Sequence, residues 1–65
     1  MTYQVWGRLN SAAKLREYCA AEDENVMRSV FDTLRASGQY EELELRQLGL
    51  PVALLRWHRE LQVAS

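Results

Sequence analysis

One cysteine, Cys19, and one histidine, His58, are the only residues of the sequence suited to thiol or imidazole chemistry. A thiol becomes a nucleophile when a base sits beside it, so acyl-transfer chemistry would require these two side chains to meet. The apolar spacing sets both on core-facing helical stripes, where a lone cysteine serves as a small buried hydrophobe. A structural zinc takes four Cys, His or carboxylate ligands. One Cys and one His fall short of that, so neither a metal nor a cofactor is expected. Phosphate loops of the GxxxxGK[ST] or GxGxxG kind are absent. The carboxylates fall at helical ion-pair spacing: Glu24 and Asp32 lie four residues either side of Arg28, and Glu42 lies four before Arg46. These read as solvated helix faces. A chain this short has little volume for a ligand pocket of ~300 Å³ or more, so enzyme activity and a small-molecule substrate are not expected.

Residue types that dominate interface energetics are better supplied: Trp6, Trp57, Tyr3, Tyr40, and seven arginines against one lysine. Trp57 falls on the apolar Leu54 to Leu61 face and is expected in the core. Trp6 has polar Gln4 and Arg8 two residues to either side, which leaves it available to a partner. The expected partner-binding residues are therefore Trp6 and Arg8 near the N-terminus and Arg56 and Arg59 near the C-terminus. The leading functional expectation is a small non-enzymatic accessory or regulatory protein that acts through protein–protein interaction.

Nucleic-acid binding is the alternative. Eight basic against nine acidic residues give no overall basic footprint. A helix-turn-helix can nevertheless be laid over residues 41–60, with a turn at Gly49-Leu50 and a second helix from Pro51 carrying Arg56, His58 and Arg59. Glu41, Glu42 and Glu44 would repel the phosphates its first helix must approach. A dimeric ribbon from residues 3–9 of two copies fits the lengths, but presents one positive charge per copy.

The elements that must hold these residues follow from periodicity. Residues 2–9 alternate between Tyr3, Val5, Gly7, Leu9 and Gln4, Trp6, Arg8, the period of a half-buried strand or extended arm. Asn10 or Ser11 can cap a helix over 11–22, with Ala12, Leu15, Tyr18 and Cys19 on one face. Val26, Met27, Val30, Phe31 and Leu34 trace a helix over 24–36, capped by Asp23 or Asn25 and closed at Ser37-Gly38. Shorter helices are read over 40–48, with three glutamates in its first turn, and over 51–62, with Pro51 at its start. The expected fold is all-α: one domain of about four short helices with an N-terminal extended arm over 1–9.

Sixty-five residues bury only about 60% of the unfolded chain's surface, and a single cysteine allows no internal disulfide. A homodimer is the expected remedy. The lone cysteine points to a reducing, cytoplasmic setting. No apolar run approaches the ~20 residues of a membrane span, and Gln4, Arg8, Asn10 and Lys14 interrupt the place of an export signal.

Overall fold

The computed structural model describes residues 1–59. The N-terminal alternation is a strand, β1 (Tyr3–Arg8). The chain then turns at Asn10, whose side-chain oxygen accepts the Ala12 N–H at 3.0 Å while its carbonyl accepts the Ala13 N–H. This is the local bonding that would otherwise have begun a helix, used instead to reverse the chain. It leads into β2 (Arg16–Ala21), antiparallel to β1. After the helix α1 (Glu24–Ala36) come β3 (Glu42–Gln47), which pairs antiparallel with the other edge of β1, and β4 (Leu55–His58), antiparallel to β3. The sheet order is β2-β1-β3-β4.

The all-α bundle is thus replaced by a four-stranded antiparallel sheet with one helix among the described residues. Helices were expected over 11–22, 40–48 and 51–62. The first of these stretches is a turn followed by β2, the second contains β3, and the third contains β4, with residues 60–62 outside the described residues. The expectation of an unpaired arm, or of a ribbon shared between two copies, is also corrected. Both edges of β1 are hydrogen-bonded within the chain, making it one of the two central strands.

The helix forms where its stripe is clearest. Asp23 caps it by accepting the Asn25 and Val26 N–H groups at 2.9 and 3.2 Å. Glu24 in the first turn and Arg35 in the last complement the helix dipole. Gly38, at φ +74°, turns the chain away after the Ser37 cap. Met27 and Phe31 are buried against Val5, Leu43 and Leu45, with Tyr3, Tyr18, Cys19, Val30 and Trp57 among the partly buried residues around them.

Gly7 lets β1 and β3 approach under Tyr18. A Cβ there would stand 2.6 Å from Leu43 Cδ2 and 2.8 Å from both the Glu42 carbonyl oxygen and Tyr18 Cε2. Tyr18 reaches that position because the β1–β2 register slips between Val5 and Trp6, where Cys19 and Glu17 are the paired residues and Tyr18 is the extra one.

Candidate functional site

With Val5, Gly7, Leu43 and Leu45 turned toward α1, the two-residue period of a strand puts the intervening residues on the other face. These are Gln4, Trp6 and Arg8 of β1, Glu42, Glu44 and Arg46 of β3, and Arg56 and His58 of β4. Trp6 stands opposite Glu44 in the register, Arg8 opposite Glu42, Arg56 opposite Glu44, and His58 opposite Glu42. Oppositely charged neighbours across strands stabilise the pairing that aligns them.

The side chains form a continuous network. Arg8 Nη2 lies 3.0 Å from Glu42 Oε1, and Arg56 Nη2 lies 3.8 Å from Glu42 Oε2. Glu44 holds a different arginine on each oxygen. Arg46 places both Nε and Nη2 at 2.7 Å from Oε1, and Arg56 Nε is 3.5 Å from Oε2. The Arg46 guanidinium sits 4.4 Å from the centroid of the Trp6 ring, a cation–π contact. Trp6 Nε1 donates to Gln4 Oε1, whose Nε2 donates to Glu17 Oε1. His58 Nε2 lies 3.8 Å from Glu41 Oε1 and 4.0 Å from Glu42 Oε1.

Depth separates the two signs of charge. Glu41, Glu42 and Glu44 are only 5%, 9% and 6% exposed, whereas the Arg56 side chain is 71% exposed. The carboxylates therefore lie beneath, the Arg56 guanidinium meets the solvent, and Arg8 and Arg46 lie between, half-buried. Beside them, against the expectation of little pocket volume in so short a chain, opens a cleft of about 420 Å³, with Glu44, Arg46 and Arg56 along one side and Leu50, Pro51, Val52 and Ala53 of the β3–β4 loop along the other. Val52 and Leu50 are exposed apolar residues on this lip. Charge on one wall and apolar surface on the other suit a ligand with a carboxylate next to an apolar side chain.

Of the four expected partner-binding residues, Trp6, Arg8 and Arg56 are brought together in this network. Arg59 follows β4, with its backbone N–H on the Glu41 carbonyl at 2.8 Å and its side chain in no ion pair with a described residue. Arg46 and Glu44 belong to the site and were missed. Arg46 was expected to pair with Glu42 at helical spacing, but in a strand the same-face neighbour is two residues away, and that is Glu44. The signal was the alternation Glu42, Leu43, Glu44, Leu45, Arg46. On α1, Arg28 does pair with Glu24 at 2.7 Å, but Asp32, at the same spacing on the other side, pairs with Arg35 at 3.3 Å instead.

Cys19 and His58 do not meet. They sit on the two edge strands of the sheet, three strand spacings or ~14 Å apart, and on opposite faces. The Cys19 thiol is pushed above its ordinary value, first by burial and then by the negative charge of Glu17. Among the described residues, no helix is long and apolar enough to cross a membrane, and no group of three or more His, Cys, Asp or Glu side chains is placed to hold a metal ion. No family model, curated protein or solved structure matches the chain. The functional reading therefore rests on the residues themselves.

Proposed function

We propose that this protein is a non-enzymatic binding module whose open sheet face takes an acidic, partly apolar segment of a protein partner. The observation that carries the reading is the arrangement at Glu44. One nearly buried carboxylate holds the guanidinium groups of Arg46 and Arg56 at the mouth of a cleft whose opposite lip is apolar. Arg46, hydrogen-bonded to Glu44, is held in place beforehand and so loses less entropy when a ligand binds. Arg46 lies over Trp6, which adds an aromatic surface to the charged one. Arg8, paired with Glu42, continues the network along β1. A reducing, cytoplasmic setting suits the lone thiol of Cys19. The helix-turn-helix alternative loses its support, because residues 42–47 and 55–58 are strands and offer no recognition helix.

The test is selection from a displayed library of random peptides on the whole chain, in parallel with the Arg46→Ala/Arg56→Ala double variant. The reading expects enrichment of sequences with Asp or Glu next to Leu, Ile or Phe, and loss of that enrichment on the variant. Each arginine is expected to contribute about tenfold in affinity, or ~1.4 kcal/mol. Basic or unbiased sequences would overturn the reading. So would sedimentation equilibrium showing a homodimer that Arg56→Glu dissolves, since a second copy would then occupy the face.

A further inference from the structure

A second cavity lies at the other end of the sheet and shares only Arg8 with the face described above. It has a volume of about 200 Å³ and is lined by Arg8, Asn10, Lys14, Arg16, Tyr18 and Tyr40, along with the Leu9 and Ala13 surfaces of the β1–β2 turn. Three of these residues are cations, and no carboxylate is among the lining residues. In a chain of net charge −1, that is a local excess of positive charge built by the fold.

The charges are not equivalent. Arg8 is already matched, with Nη2 at 3.0 Å from Glu42 and Nη1 on the Ser11 carbonyl at 3.4 Å. Lys14 and Arg16 make no ion pair with a described residue, and both are exposed. The cavity is therefore lined by two cations that have no carboxylate partner among the described residues. An anion carrying two negative charges can offer one to each.

The remaining lining adds donors and flat surface. The Tyr18 and Tyr40 rings stand 5.4 Å apart between centroids at 57°. The Tyr18 hydroxyl, like any phenol at neutral pH, is a hydrogen-bond donor. Asn10 spends its side-chain oxygen on the Ala12 N–H, which leaves its amide nitrogen to donate. A guanidinium fork, an ammonium, phenol hydroxyls and an amide together match a phosphate oxygen set. The tyrosine ring faces match an organic substituent on that phosphate.

We propose that this cavity binds a phosphomonoester, with Lys14 and Arg16 holding the dianion and Tyr18 and Tyr40 packing against the esterified group. The site is independent of the acidic-peptide reading. It is tested by titrating the isotope-labelled full chain with phenyl phosphate, inorganic phosphate and chloride at matched ionic strength, following backbone amide shifts. Saturable shifts confined to residues 10–18 and Tyr40 are expected, with phenyl phosphate binding at least several-fold tighter than inorganic phosphate. Lys14→Gln/Arg16→Gln should weaken phenyl phosphate tenfold or more while leaving the α1 resonances in place, because both positions are exposed. Shifts that follow chloride without saturating would overturn the proposal, as would unchanged affinity in the double variant. Equal affinity for the two phosphates would remove the esterified group from it.

Discussion

Replacing Gly7 with alanine tests the close approach of β1 and β3. The new methyl group would lie 2.6 Å from Leu43 Cδ2 and 2.8 Å from the Glu42 carbonyl oxygen and Tyr18 Cε2, where carbon contacts settle at roughly 3.5–4.0 Å. About an ångström must be recovered. Leu43 is fully buried, and the Glu42 oxygen belongs to the backbone of the neighbouring strand, so neither yields cheaply. Overpacking of this kind costs roughly 1–3 kcal/mol. Alanine's smaller unfolded-state entropy returns about 0.4–1 kcal/mol of that. At the middle of each range, about 2 less about 0.7 kcal/mol, the net loss is ~1.3 kcal/mol, which in a domain of this size lowers the melting temperature by about 5–10 °C. Thermal unfolding followed by circular dichroism measures it directly. Trimming the opposing side chain, as in Gly7→Ala/Leu43→Val, should recover part of the loss because the two residues share one contact. A Gly7→Ala melting temperature within about 2 °C of the parent would mean that β1 and β3 do not pack in this register.

Other outcomes follow from single groups. Asp23→Ala removes the acceptor of two helix N–H groups and should cost ~1 kcal/mol in urea unfolding, with Asp23→Asn close to the parent; equal loss for both would contradict the capping role. Cys19, half-buried with its thiol held protonated by burial, should react with a disulfide reagent at pH 8 more slowly than glutathione, and faster reaction would contradict its placement beneath α1. Both Cys19 and Tyr18 bind their protons more tightly when folded. Their contribution to stability is therefore full below the ordinary values of 9.0 and 10.0 and lost as pH rises through the folded values. Melting temperature should be level up to about pH 9 and fall beyond it, with Cys19→Ser delaying the onset, and a flat profile to pH 11 would contradict this.

The sequence is legible where one element's pattern is undisturbed. Met27 and Phe31 fall on the face of α1 that is buried, and Asp23 caps it, because a solvent-facing helix must carry a 3.6-residue stripe and a local acceptor. β1 is equally readable as an alternation, but its partners are not, since pairing depends on residues far along the chain. β2 hides its period at Tyr18, where the register slip turns consecutive residues Tyr18 and Cys19 toward the core. β3 is obscured by composition. Glu42 and Glu44 favour helix over strand in isolation, and arginines contributed by β1, β3 and β4 offset the charge of these buried glutamates in the strand. The same error moved the site. Read as a helix, 51–62 set Trp57 and His58 on one apolar face, whereas in β4 Trp57 packs toward the core and His58 turns to the charged face beside Arg56. Trp6, Arg8 and Arg56 were recognisable by residue type, but their joining through Glu42, Glu44 and Arg46 required the register.

The central claim is that Arg46 and Arg56, paired with Glu44 beside the apolar lip at Leu50 to Ala53, form the binding surface. Amide shift mapping with an acidic-apolar peptide such as Leu-Glu-Leu-Asp, across increasing salt, tests it most directly. The account predicts shifts at Trp6, Arg46, Arg56 and residues 50–53, an affinity that falls with salt, and loss of both in Arg46→Ala/Arg56→Ala. Shifts centred on α1 or the β1–β2 turn, or the same shifts in the double variant, would contradict it.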